Sequence, residues 1–283
     1  MTPDPDVRAA RPDLRVPWFR HHRTGRPRLR LVCFPHAGGT AAVYRTWPQG
    51  LPEEVEVLAV QYPGRQDRLT EPCARSMTEL ADAVTAALGP FLDLPVALFG
   101  HSMGSAVAYE VALRLRRVPG ARTVALLVSG RRAPHLGNRV PVPLDDAGLL
   151  ESVRRLGGPD AWAYEHPDMG DLLLPSLRGD HRLLHGYRPD PPAERLRVPV
   201  TAYGGDRDPV CPVGDLDTWA EVTDAGHRTV VLPGGHFYLR EREEELLAHL
   251  SSRLTPPARP DPARAGPLRD GRVPGAEVSP PRG

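Results

Sequence analysis

Apolar residues in this chain cluster into short continuous runs. Leu29–Phe34, Val55–Val60, Val96–Phe99, Thr123–Val128, Val198–Tyr203 and Thr229–Leu232 are each apolar-rich and bounded by Gly or Pro. Strands buried on both faces of a parallel sheet read this way. Between them, Met77–Leu92, Ser105–Arg116, Leu216–Thr223 and Leu239–Leu250 carry helical patterns. Strand–helix alternation predicts a parallel sheet wound on both sides. The rhythm breaks over residues 131–190. There "PLDDAGLLESVRRLG" and "MGDLLLPSLRGDHRLLHGY" read as helices with no strand between them, so a helical insertion is expected between two strands.

The two ends behave differently from the middle. Residues 1–27 mix Pro, Arg and Asp with no period, and the last stretch is rich in Pro, Arg and Gly. Such segments cannot bury enough apolar surface to order themselves. The expected organisation is a disordered N-terminal segment over 1–14, one domain over 15–253 and a disordered tail over 254–283. At 283 residues the chain is long enough to bury a large core. Its formal net charge of +1 gives no global field for nucleic acid or a membrane surface. No apolar run approaches the length of a membrane-spanning helix, and the N-terminus lacks the apolar core of a signal peptide. The three cysteines, Cys33, Cys73 and Cys211, form no C-x-x-C pair and read as reduced thiols of a cytoplasmic protein. No His, Cys, Asp or Glu cluster has metal-ligand spacing, so no metal is expected.

"LFGHSMGSAVAYE", residues 98–110, points to chemistry. A buried strand runs into two glycines that bracket Ser102, and a helix follows at once. This G-x-S-x-G arrangement between strand and helix is a nucleophile elbow, a turn so sharp that small residues must flank the serine. Ser102 would stand clear of the sheet, above a helix N-terminus that favours developing negative charge. The bland reading is a plain Gly-rich turn, and the strand–helix context argues against it.

A serine needs a base, and the base needs an orienting acid. In this fold they follow in the order Ser, Asp or Glu, His. His236 directly follows the last predicted strand in "TVVLPGGHFYL". His227 precedes that strand and would lie at its wrong end. His181 and His185 fall in the insertion and read as polar or partly buried helix residues, and His101 fills the x of the motif. Two aspartates compete in "VPVTAYGGDRDPVCP". Asp208, followed by Pro209, is the better acid, while Asp206 is better suited to holding the loop by hydrogen bonds. The oxyanion donors are expected to be the backbone N–H of Met103 and that of Ala37 in "LVCFPHAGGTAAVY". A phosphate-cradling turn at "HAGG" lacks the other features such sites need.

Taken in order, "FPHAGG", "GHSMG", "SGRRAP", "GDRDP" and "GGHFYL" resemble the type II thioesterases, stand-alone α/β-hydrolases associated with modular polyketide and nonribosomal peptide synthases. The resemblance covers about residues 15–253; the Pro/Arg-rich tail is not a usual feature of the family. It implies an α/β-hydrolase fold, with a mostly parallel central sheet, helices on both faces and 131–190 as a helical lid over an acyl pocket. It implies Ser102 as nucleophile, His236 as base, Asp208 as its orienter and the Ala37 and Met103 amides as oxyanion hole. The implied activity is hydrolysis of wrong or stalled acyl groups from the phosphopantetheine arm of an acyl or peptidyl carrier protein, by a monomer, without a cofactor. The lid is expected to be mobile. Carrier proteins are generally acidic and their arm bears a phosphate, so Arg131 and Arg132, which follow a strand at the edge where Ser102 sits, are expected to contact it. The bland alternative for the pair is a solvated loop start or a salt bridge to the lid.

Three other readings compete. A small-molecule carboxylesterase or lipase would use the same machinery, though "FPHAGG" and "SGRRAP" favour the thioesterase. A non-catalytic binding protein on this scaffold would be expected to lack a triad member. A chain-releasing thioesterase is expected to be fused to a carrier domain, and no carrier segment is seen.

Overall fold

The computed structural model describes residues 17–22, 24–158, 161–190 and 195–254. Seven strands form one sheet: β1 Phe19–His22, β2 Leu29–Phe34, β3 Val55–Val60, β4 Val96–His101, β5 Thr123–Ser129, β6 Val200–Gly205 and β7 His227–Leu232. Their spatial order is β1-β3-β2-β4-β5-β6-β7. Only β1 runs antiparallel to its neighbour, with Phe19 opposite Val60 and His22 opposite Val57. Every position of β2, β3, β4 and β6 is buried, as strands covered on both faces require. The two buried charges on the β2–β3 pair, Arg30 and Glu56, sit opposite each other and form an ion pair at 2.7 Å.

Nine α-helices cover the sheet or form the insertion: α1 Trp47–Gly50, α2 Met77–Leu88, α3 Met103–Leu115, α4 Asp146–Leu156, α5 Ala161–Glu165, α6 Pro167–Gly186, α7 Val213–Leu216, α8 Tyr238–Glu241 and α9 Glu243–Arg253, among the described residues. Side chains of α2 and α3 pack with Val32, Leu58, Leu98 and Val128 on one face of the sheet. Trp47 of α1 and Leu246 and Leu250 of α9 pack with Leu31, Val57 and Phe99 on the other. The expected doubly covered, mostly parallel sheet is therefore present. So is the expected helical insertion, carried by α4, α5 and α6 between β5 and β6.

Several boundaries differ from the pattern-based reading. Strand β1 lies inside the segment read as lacking order; it is four residues long, too short for a period to show, and owes its form to pairing with β3. The helix expected to reach Leu92 leaves the α form at Leu88, where Gly89 and Pro90 start a 3-10 turn, since proline lacks the N–H and crowds the preceding turn. The helix expected over Leu216–Thr223 is a short α7 followed by a 3-10 segment, Asp217–Val222. The one expected over Leu239–Leu250 is broken at Arg242 into α8 and α9. The expectations for residues 1–14 and 255–283 lie outside the described residues; Leu254, expected to open the tail, is instead buried in the core on the α1 and α9 face of the sheet because α9 carries it there. Among the described residues no helix is long and apolar enough to cross a membrane. All three cysteines are free, with Cys33 and Cys211 buried.

Candidate active site

The sharp turn at Ser102 is made by steric necessity. Strand β4 ends at His101 and helix α3 begins at Met103, so one residue makes the reversal, with φ 53° and ψ −115°. A β-carbon on Gly100 would lie 2.1 Å from the Gly104 carbonyl oxygen, and one on Gly104 would lie 2.0 Å from that of Phe34. Both glycines of the motif are therefore obligatory at this spacing. The Ser102 N–H donates to the Ser129 carbonyl at 2.7 Å, which ties the turn to β5. A non-glycine residue held at this φ stores strain and persists only where its surroundings over-determine it. Here the packing of α3 on the sheet supplies that constraint.

Two loops at the same sheet edge bring the next pair. Asp208 follows β6 and His236 follows β7. Their side chains are fully buried and meet at 2.7 Å between Oδ2 and Nδ1. The other carboxylate oxygen, Oδ1, accepts the N–H groups of Val210 and Cys211 at 2.9 and 3.1 Å. Asp206 does something else. Its Oδ1 accepts the Gly234 N–H at 2.8 Å, bracing one loop against the other. His227 opens β7 at its N-terminal end, away from His236.

Two further imidazoles surround His236. The His101 ring lies 4.9 Å from that of His236, and its Nδ1 is 2.9 Å from the Ser129 hydroxyl. His36 stacks edge-on against Phe237 at 4.8 Å and against His101 at 5.9 Å. Burial, with help from neighbouring His236, holds the His101 pKa well below its ordinary value. The same causes, with Arg240 and Arg65, bring His36 down to about 3. Both rings are thus neutral at physiological pH and add no positive charge beside His236.

Ala37 lies in the loop after β2, beside the Ser102 turn. The Tyr44 hydroxyl donates to the Phe34 carbonyl at 2.7 Å, Tyr62 donates to that of Pro35 at 3.2 Å, and the Gln61 side chain accepts the Ala41 N–H at 3.0 Å. Neither the Ala37 nor the Met103 N–H donates to another group of the chain among the described residues. Two residues not singled out in the sequence also hold this loop. Asp180 of α6 accepts the Gly38 N–H at 2.8 Å, and Arg65 donates to the Gly39 carbonyl at 3.1 Å. Their partners are distant along the chain, so no local pattern marks them.

Ser102, His236 and Ala37 line a cavity of about 480 Å³ shared with the insertion, which contributes Val153, Leu156, Trp162, Leu173 and Leu177. That is a usual size for a small-molecule site, and its lining is mainly apolar, as an acyl chain requires. Arg131 and Arg132 line the same cavity. The Arg131 guanidinium donates to Asn138 at 2.9 Å, and burial lowers its pKa. Arg132 lies 3.9 Å from Asp215, which also takes Arg139 at 3.0 Å. Among the described residues no group of three or more His, Cys, Asp or Glu side chains is arranged to hold a metal ion.

Comparison with known proteins follows the same lines. The thioesterase-domain family model matches residues 29–254. The chain is 41% identical over 240 residues to Thioesterase PikA5 of Streptomyces venezuelae, covering 84% of this chain and 85% of that one. Among solved structures it is similar to RedJ, a thioesterase from the prodiginine biosynthetic pathway in Streptomyces coelicolor, with 42% identity, a TM-score of 0.74 and coverage of 81% of this chain and 86% of that one. It is also similar to the type II thioesterase BorB from the borrelidin biosynthetic cluster, with 37% identity, a TM-score of 0.75 and coverage of 83% and 97%.

Proposed function

The chain belongs to the thioesterase family, among its type II members, and from that premise we propose that Ser102, His236 and Asp208 hydrolyse acyl groups from the phosphopantetheine arm of a carrier protein in a polyketide or nonribosomal peptide system. The observation that carries the reading is the meeting of three loops at one sheet edge. The strained Ser102 turn and His236 line one apolar cavity, and Asp208 is buried against His236 Nδ1. Ser102 Oγ attacks the thioester carbonyl while His236 Nε2 takes its proton. The negative oxygen is received by the Ala37 and Met103 amides, with the positive end of α3 beneath. The tetrahedral intermediate expels the thiolate, and His236 hands the proton to its sulfur. Water, deprotonated by the same nitrogen, then attacks the acyl-serine and returns Ser102 with a free acid. Asp208 holds the imidazole in the tautomer this needs and stabilises its charged form.

Arg131 and Arg132 complete the proposal as contacts for the arm's phosphate. Both line the cavity, and no carboxylate pairs with Arg131 among the described residues. A half-buried guanidinium without a counter-charge carries a desolvation cost, and a bound phosphate would offset it. The activity is assigned to the cytoplasm, where carrier-bound intermediates are made, and to a single copy of the chain. The experiment compares rates on an acyl-pantetheine thioester and the oxygen ester of the same acyl group. The thioester should react faster, and Ser102→Ala should lower its kcat at least ~10³-fold. A preference for the oxygen ester would favour a carboxylesterase instead. A variant that kept a tenth of the activity would remove Ser102 from its role.

A further inference from the structure

The loop that carries Ala37 is gripped from the lid. Asp180 lies on α6, in the insertion, and its carboxylate is buried at 2% exposure. It meets the equally buried Arg65 through two parallel bonds, Nη1 to Oδ2 at 2.7 Å and Nη2 to Oδ1 at 2.8 Å. The same two groups also close on the backbone. Oδ2 accepts the Gly38 N–H at 2.8 Å, and Arg65 Nη1 donates to the Gly39 carbonyl at 3.1 Å. The Arg65 guanidinium lies 5.3 Å from the Tyr62 ring centre, and Tyr62 in turn bonds the Pro35 carbonyl.

These bonds bear on one atom in particular. In a trans peptide the C=O of residue 36 and the N–H of residue 37 point in opposite directions. The Gly39 N–H donates to the His36 carbonyl at 2.9 Å, so the position of Gly39 sets the direction of the Ala37 N–H. Gly39 is itself held through its carbonyl by Arg65, and Gly38 through its N–H by Asp180. A buried ion pair is weak evidence for stability, because well-packed apolar residues would often serve as well. A geometric task explains it better. The pair joins a lid helix to a catalytic loop 142 residues earlier in the chain.

We propose that Asp180 and Arg65 are positioning residues: through their ion pair the seated lid helix α6 holds the Gly38–Gly39 backbone, and thereby aims the Ala37 N–H at the developing oxyanion. The proposal rests on the hydrolase reading above. Its consequence is that catalysis depends on the lid through a bond as well as through the cavity the lid encloses.

The test uses the full chain, a short acyl-cysteamine thioester, a trifluoromethyl ketone that forms a tetrahedral adduct with the serine, and a non-reactive thioether of the same acyl group. Asp180→Leu removes both the ion pair and the acceptor for Gly38. Its kcat should fall about 10- to 100-fold, below the loss from deleting an oxyanion donor outright, with KM and thioether affinity within about threefold of wild type. Ketone affinity should weaken by the same factor as kcat. Asp180→Asn keeps an oxygen for the Gly38 N–H and should lose only several-fold in kcat, again at constant KM. Unchanged kcat in a folded Asp180→Leu, or equal losses in kcat, KM and thioether binding, would overturn the positioning role. Should Asp180→Leu fail to fold, Asp180→Asn decides: a full wild-type kcat overturns the proposal. Wild-type protein that neither cleaves the thioester nor binds the ketone overturns the hydrolase reading itself, and this proposal with it.

Discussion

Two aspartates two positions apart are held very differently. Asp208 is sealed against His236, whereas Asp206 is partly exposed and braces the Gly234 loop. Asp208→Asn should therefore lower kcat by orders of magnitude, because the amide favours the wrong imidazole tautomer. Asp206→Asn should cost little activity. Steady-state rates on one thioester check this, and the reverse ranking would exchange the two assignments. The neutral imidazoles beside His236 lead to a prediction about acid. An unfolded histidine takes up a proton near pH 6.5, whereas His36 in the folded chain does so only near about 3. Between those values the unfolded state binds the extra proton, so stability falls as pH drops from about 6.5 toward about 3. His36 adds at most about 1.4 kcal/mol per pH unit, and His101 acts in the same direction. Urea unfolding of wild type and His36→Phe between pH 7 and 5 should show a shallower decline in the variant. Equal slopes would mean that His36 is protonated in the folded state.

Among the elements, the helical insertion differs from the sheet in what holds it. Helix α4 buries only Leu149 and Ser152, α5 buries Ala163, and Trp162 and Leu172 are exposed. The strands of the sheet centre are buried along their whole length. Segments with few buried apolar contacts open first, and lids open to admit substrate. Hydrogen exchange should therefore be faster in α4 and α5 than in β2 and β4. Within the insertion, the stretch of α6 around Asp180 should be slowest, because its ion pair and the Gly38 bond anchor it. An acyl ligand should slow α4 and α5. Uniform protection across insertion and sheet, with or without ligand, would argue against a moving lid.

At the scale of the whole molecule the question is how a carrier protein is met. The net charge of +1 is too small to steer an acidic partner, so the proposed docking relies on local arginines. Replacing Arg131 and Arg132 together by alanine should raise KM for an acyl-carrier protein. It should leave a short acyl-cysteamine thioester, which lacks the phosphate, nearly unchanged. The carrier-protein reaction should also weaken with salt, as the screening length falls from about 10 Å at 0.1 M to about 3 Å at 1 M. Equal losses on both substrates would indicate damage to the fold, to which the bond of the Arg131 guanidinium with Asn138 contributes.

Whatever depends on neighbours along the chain was legible before any fold was known. Apolar runs marked the inner strands because a strand covered on both faces has no polar side to show. Gly100, Ser102 and Gly104 marked the elbow because no β-carbon fits beside that turn. Loop position singled out His236 and ranked Asp208 above Asp206, and the order of motifs pointed to the family. What depends on distant partners became visible only in the folded chain. Strand β1 exists because β3 offers it an edge. The helix after β7 breaks at Arg242, although its residues carry a continuous helical pattern. Asp180 reads as one polar position on an amphipathic helix until α6 folds over the loop after β2. Its carboxylate then meets a guanidinium 115 residues earlier in the chain. Pairing over that distance leaves no period or spacing in the sequence, because it is set by how the insertion seats on the sheet edge.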